Sequence, residues 1–147
     1  MVSDEPEPRN FKISSESDAR PEEIAVIRDA LDRFNFDATG LREVHTVTLF
    51  ARDRLEAIKG GLLGYVWGGW FHITHLWVSE ECRGSGLGRQ LLETAEREAA
   101  ASGARGAFLS TFDFQAPDFY RRYGYEVYAK FPDYPPGHVD YHLRKVF

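Results

Sequence analysis

Between Val78 and Gly88 the chain reads VSEECRGSGLG, with Gly84, Gly86 and Gly88 at alternate positions directly ahead of an amphipathic run. Glycine lets a backbone turn with positive φ and come close to a ligand, and the first N–H groups of a helix have no acceptor within it. A glycine turn that opens a helix is therefore an anion site. A Walker A loop would need Gly-Lys followed by Ser or Thr, whereas Gly88 is followed by Arg89 and Gln90. A dinucleotide fingerprint needs G-x-G-x-x-G; here the glycines fall as G-x-G-x-G, in mid-chain after an antiparallel meander. Upstream, His72 and His75 lie on the strand leading into this turn, and an imidazole titrates near neutrality. Strict alternation along that strand sends the two rings to opposite faces, so one of them at most faces a given pocket. The histidines form neither an H-x-x-x-H nor an H-E-x-x-H pair, so no metal site is expected. Cys82, the single cysteine, excludes an internal disulfide and reads as packing.

Several elements must position these groups. Ile24, Ile27, Leu31 and Phe34 recur at helical spacing behind Pro21, Glu22 and Glu23, which suit a first turn capped by Ser17 or Asp18. They predict a helix with a core-facing stripe, preceded by a short strand at Phe11 and Ile13. From Val44 to Val78 the pattern is that of three antiparallel strands: Thr46 to Phe50, then Ile58 to Trp67, then Trp70 to Val78 after the Gly68-Gly69 turn. Leu87, Leu91, Leu92, Ala95 and Ala99 line one face of the helix behind the glycine turn, and Gly103 ends it. A buried strand over Ala107 to Phe112, a short helix over Ala116 to Tyr123, and strands over Tyr125 to Phe131 and His138 to Val146 complete the chain. The order predicts a mixed α/β (α+β) three-layer fold around one mostly antiparallel sheet of six to seven strands, with helices on both faces. At 147 residues one domain is expected, over 11–147, behind a charged leader over 1–10. The net charge of −5 disfavours nucleic acid as partner and suits a cationic one. No apolar run of about 18 residues marks a membrane span, and with one cysteine the expected compartment is the cytoplasm.

Arg83, Gly86 and Gly88 together spell Arg-x-x-Gly-x-Gly, with Leu76-Trp77-Val78 at a fixed interval before them. Phe119 to Tyr125 (FYRRYGY) supplies an aromatic-Tyr pair, two polar residues and x-Gly-aromatic, with Ala116 four positions before Tyr120. In these two motifs, in this order, the chain resembles the GNAT family of N-acetyltransferases from about Phe11 to its C-terminus.

The resemblance implies acetyl-coenzyme A as co-substrate, without a metal. Backbone N–H groups across Arg83, Gly84, Ser85, Gly86, Leu87 and Gly88 would hold the pyrophosphate, Trp77 and Val78 would meet the pantetheine arm, and the N–H of Val78 would face the oxyanion. Tyr120 stands where relatives protonate the departing thiolate. His75 stands near the position of a Glu base in several of them, with a structural histidine as the alternative. Asp113 falls where the family commonly has an Asn against the cofactor; an end-of-strand helix cap is the other reading. The implied activity is direct attack on the thioester, in a ternary complex, by a primary amine of a small molecule or peptide. The acceptor would lie between Phe34 to Glu43 and Tyr134 to Tyr141, where Asp37, Glu43, Asp133, Asp140 and Tyr134 suit a flat or cationic amine. A sensor that keeps the coenzyme loop without turnover, or an interaction module that uses the fold only as scaffold, is the rival class. Membrane partners are not expected, and a homodimer is left open.

Overall fold

The computed structural model describes residues 11–147, and the expected leader lies outside them. The chain divides into two compact units at Gly40 and Leu41. The first contains α1, Pro21–Thr39, with proline and two acids in its first turn, where donors are unpaired and the helix dipole is positive. The residue that caps it is Arg20 rather than Ser17 or Asp18. Its carbonyl accepts from Glu23 N (2.9 Å) and Ile24 N (3.1 Å), and its own N–H donates to the Glu23 carboxylate (3.0 Å). The stripe expected as a core face is exposed, from 46% at Ile24 to 75% at Ile27. Helical periodicity shows which residues share a face but not what covers them. No strand forms over Phe11 to Ile13, so among the described residues the sheet has six strands.

The second unit holds that sheet. Its elements are β1 His45–Arg52, β2 Ile58–Trp67, β3 Trp70–Val78, a single 3-10 turn at Glu80–Cys82, α2 Leu87–Ala101, β4 Gly106–Phe112, α3 Pro117–Arg122, β5 Glu126–Pro132 and β6 Val139–Val146. The strand order is β1-β2-β3-β4-β6-β5. Every pair is antiparallel except β3 with β4, which run parallel and are joined by α2, as a parallel pair needs a crossover. Leu91, Leu92, Ala95 and Ala99 of α2 are buried against Val47, Leu62, Phe71, Leu109 and Leu143 of the sheet. Phe119 and Tyr120 of α3, with Tyr123 just after its end, join the same cluster, so α2 and α3 cover one face. Full burial of a side chain such as Phe71 or Leu92 stabilises the fold by about 1.5–3 kcal/mol.

One irregularity decides where β3 aims its side chains. Tyr65 pairs with His72 and Gly64 with Ile73, but the next residue of β2, Leu63, pairs with His75. Thr74 is the extra residue of a β-bulge, and its hydroxyl donates to the Leu63 carbonyl (3.0 Å). The alternation therefore restarts. Phe71 and Ile73 point to the α2 face before the bulge and Leu76 and Val78 after it, while His72, His75 and Trp77 all share the other face. This corrects the expectation that the two histidines point opposite ways. Opposite the bulge, Gly64 packs so closely that a Cβ would come within 2.5 Å of the His72 carbonyl oxygen and 2.6 Å of the Phe71 ring. Gly64→Ala should lower unfolding stability in urea by about 1–3 kcal/mol, and a smaller loss would show that the bulge has slack.

Candidate active site

Parallel pairing between β3 and β4 extends only over Phe71 with Ala107 and His72 with Phe108. Beyond those residues the strands part and open a cleft of about 940 Å³, near the upper end of the range for small-molecule sites. One wall is the second half of β3, from Ile73 to Val78. The other is the end of β4, from Leu109 to Thr111. The floor and outer rim come from the glycine turn, the first turn of α2, and α3.

The β3 wall offers free backbone groups. Ser79 N donates to Lys59 O (2.8 Å), which makes Val78 and Gly60 a pair that does not exchange hydrogen bonds. The N–H and carbonyl of Val78 therefore point away from β2, toward the gap, and by alternation so do those of Leu76. The Val78 carbonyl accepts from Arg83 Nε (3.3 Å), which ties that arginine to the rim.

At the turn, Gly84 (φ 72°) and Gly86 (φ 87°) take the left-handed conformation that other residues resist. Gly86 is the N-cap of α2, and the first helical bond runs from Gln90 N to Gly86 O (3.0 Å). The N–H groups of Leu87, Gly88 and Arg89 precede that bond and have no helical acceptor. Gly88 lets α2 approach α3, since a Cβ there would sit 3.4 Å from the Phe119 ring. Ser85 alone of the expected loop residues is absent from the cleft wall; its hydroxyl donates to Cys82 O.

Tyr120 lines the cleft as a residue only 7% exposed, its ring edge-on to Phe119 and Tyr125. Its hydroxyl has no hydrogen-bond partner among the described residues. Desolvation raises its pKa to about 12, so the phenol keeps its proton across the neutral range. The pKa of Tyr125 is raised further, by burial first and then by Glu96, to which its hydroxyl donates (2.9 Å); it is a packing residue. Sequence reasoning missed Gln115, whose amide oxygen accepts from Phe112 N (2.9 Å) and the Thr111 hydroxyl (3.2 Å), holding the end of β4 beside Tyr120.

Of the two histidines, His75 is exposed on the cleft wall, with Nδ1 3.0 Å from the Thr74 hydroxyl. His72 lies outside the cleft, stacked on Phe108 (centroids 4.5 Å apart) with Nδ1 3.0 Å from the Tyr65 hydroxyl. Asp113 lies outside it too. Its carboxylate takes His138 Nδ1 (2.9 Å) and Val139 N (3.2 Å), pinning the loop after β4 to the start of β6, and α3 is capped by Ala116 instead. In the expected acceptor region Tyr134 packs on Phe112 and Phe131. Asp133 accepts from Gly137 N, and Asp140 is buried with His142 Nε2 3.1 Å away. No group of residues able to hold a metal occurs among the described residues, and no described helix is long and apolar enough to cross a membrane.

A family model described as an acetyltransferase (GNAT) domain matches residues 45–127. The chain is 41% identical over 105 residues to a blasticidin-S acetyltransferase of Streptomyces morookaense, covering 71% of this chain and 77% of that one. It is 34% identical over 116 residues to an acetyltransferase of Agrobacterium fabrum, covering 79% and 83%. A solved acetyltransferase of Bacillus cereus superposes with a TM-score of 0.81 at 30% identity, over 91% of this chain and 98% of that one.

Burial against Phe108 lowers the pKa of His72, disfavouring its charged form. As the pH falls below about 6.5 the unfolded chain therefore takes up the proton first, and folded-state stability declines. In His72→Phe, which keeps the stacked ring, stability should fall less steeply between about pH 7 and 5, measured by urea unfolding across that window. An unchanged slope would place the acid sensitivity elsewhere.

Proposed function

The chain belongs to the GNAT acetyltransferase family, and from that premise we propose that it moves an acetyl group from acetyl-coenzyme A to a primary amine of a small molecule or peptide. The observation that carries this reading is a convergence. The unpaired N–H groups at the mouth of α2, the outward N–H of Val78 and the unpartnered hydroxyl of Tyr120 all open into one cleft between parted strands.

In this reading the helix mouth and the Gly84 to Gly88 backbone hold the diphosphate, and Arg83 adds charge at the rim. The pantetheine arm carries amides of its own, and it runs along β3, pairing with the free groups of Leu76 and Val78 as a further strand would. The Val78 N–H then faces the carbonyl oxygen of the thioester, where negative charge grows as the amine attacks. Tyr120, protonated throughout, donates a hydrogen bond to sulfur as the carbon–sulfur bond breaks. Because its raised pKa also disfavours the phenolate, it shares its proton with the thiolate until a proton lost by the attacking nitrogen replaces it. In this reading His75, on the same wall, takes that proton. Asp113 acts as a positioning residue for the loop, in place of the cofactor contact that the resemblance implied.

The test is a panel of primary amines, blasticidin S and short peptides among them, assayed for release of free coenzyme A thiol. Acetyl transfer to at least one member is expected, and coenzyme binding with no thiol release across the panel would sink the amine reading. With an active acceptor, Tyr120→Phe should lower kcat about 100-fold while leaving the KM for acetyl-coenzyme A nearly unchanged; normal turnover at saturation would remove the acid role. Gly86→Glu places negative charge and backbone strain at the helix mouth and should weaken acetyl-coenzyme A binding roughly tenfold or more by calorimetry. Gly86→Ala carries the strain without the charge, so equal losses in the two variants would count against a phosphate at that point.

A further inference from the structure

Acetylation of an alkylamine leaves a proton to be disposed of. Near neutral pH such an amine is an ammonium ion, and R–NH3+ with CH3CO–S–CoA gives R–NH–CO–CH3, HS–CoA and H+. Nitrogen therefore loses two protons. The second, lost as the carbon–nitrogen bond forms, ends on the departing sulfur by way of His75 and Tyr120. The first must leave before nitrogen has an electron pair with which to attack, and neither of those residues receives it.

The sheet sets the side from which the amine arrives. α2 and α3 cover one face, with the helix mouth and Tyr120, which leaves the other face of the parted strands to the nucleophile. On β4, Ala107 and Leu109 belong to the core on the helix side, so Ser110 turns to the other face at the cleft wall. Ser110 stands directly opposite His142 of β6. Directly opposed residues of an antiparallel pair send their side chains to one face, with Cβ atoms about 4.5–5.5 Å apart. His142 is thus one strand beyond the cleft wall, on the face where His75 lies, with the small side chain of Ser110 between its ring and the gap.

Beside His142 lies a buried carboxylate. Asp140 shares its face of β6 and is 7% exposed; its Oδ2 is 3.1 Å from His142 Nε2, and its Oδ1 has no hydrogen-bond partner. Its cross-strand neighbours, Phe112 and Phe131, offer no charge. A buried carboxylate needs a counter-charge, and among the described residues His142 is its ion-pair partner once the ring is protonated. Because a carboxylate has acceptor atoms alone, Nε2 carries the hydrogen that faces it and Nδ1 keeps the lone pair. The His142 side chain is 38% exposed, so a proton it takes up can pass on to water. The other titratable or charged groups on this face are Tyr128 of β5, edge-on to His142 at 6.2 Å, Arg144 of β6 with Glu126 of β5 opposite it, and His72 and His75 of β3; β4 contributes Phe108 and Ser110, both uncharged.

We propose that His142, held by Asp140, is the base that takes the first proton from the acceptor ammonium. An N–H bond of the ammonium breaks, its electrons stay on nitrogen as the attacking pair, and the proton goes to Nδ1 and from there to water. The proposal rests on the amine-acetylation reading, and Asp140 acts in it as a positioning residue.

The experiment takes an amine that the thiol-release panel has shown to be an acceptor. Its kcat/KM is measured from about pH 6.5 to about pH 9.5, toward the pKa of an alkylamine near 10, in the wild type, His142→Gln and Asp140→Asn. At about pH 7, His142→Gln should lose about 100-fold and Asp140→Asn about tenfold. Both losses should shrink as the pH rises, because solvent then supplies the free amine, while affinity for acetyl-coenzyme A stays at the wild-type value. Imidazole added to His142→Ala should restore part of the lost rate. Wild-type activity of His142→Gln at neutral pH would overturn the proposal. So would a loss of equal size at every pH, which is the result of a purely structural role for the pair. Were His142→Gln not to fold, the isosteric Asp140→Asn carries the same pH test. A wild type that acetylates no amine would instead bring down the amine reading itself, and this proposal with it.

Discussion

Two residue pairs join β3 to β4, Phe71 with Ala107 and His72 with Phe108, and the rest of the site follows from the ladder stopping there. A strand edge inside a protein cannot leave its N–H and carbonyl groups without partners at no cost, because each buried group that loses water needs a replacement. Past His72 one edge of β3 still pairs with β2, while the other faces open space. The parting thus creates a narrow slot and a row of backbone donors and acceptors along it. A ligand that is itself amide-bearing and extended can complete the sheet at that edge, and this is the physical basis for placing the thioester arm there. The same cleft takes in the mouth of α2, which must cross from β3 to β4.

The rest of the site is organised by desolvation and charge. Tyr120 packs edge-on against Phe119 and Tyr125 at the cleft wall, and burial there keeps its proton in place. His72 and His75 began as equivalent candidates and are separated by environment: one is stacked on Phe108 and biased toward neutrality, the other stands exposed on the wall of the cleft. Charge is distributed just as unevenly. The cleft wall contains three arginines, Arg83, Arg89 and Arg122, and, among the described residues, no acid, within an acidic chain, as a site for a phosphorylated donor requires. Of the acids expected to meet a cationic acceptor, Asp133 is held by Gly137 N within the β5–β6 hairpin, while buried Asp140 meets His142 through Oδ2 and leaves Oδ1 without a hydrogen-bond partner.

Much of this architecture was legible in the sequence, for identifiable reasons. The bounds of β2 and β3 follow from apolar runs punctuated by Gly68 and Gly69, and those of α2 from the glycine turn before Leu87 and the stop near Gly103. The glycine turn at the mouth of α2 could be read because alternate glycines ahead of an amphipathic run mark a tight turn that opens a helix. The Thr74 bulge was not foreseen, although one signal was present: the apolar positions of β3 change parity, from Phe71 and Ile73 to Leu76 and Val78. The contact of Asp113 with His138 was not foreseen, because position relative to Tyr120 says nothing of which loop folds against it, and the 25 residues separating the two carry no local trace of their 2.9 Å contact. For the stripe on α1, helical spacing gave the face and could not supply its cover.

By itself the sequence determined the mixed fold, the glycine turn that opens α2 and the short aromatic helix that carries Tyr120, because local periodicity, turn chemistry and motif spacing are properties of neighbouring residues. Tertiary structure alone decided that β3 parts from β4 after His72, that a bulge turns both histidines to one face, and that Arg122 reaches the cleft while Asp113 does not. Those outcomes depend on register between strands and on contacts between distant segments, quantities that the order of residues along a chain does not specify one at a time.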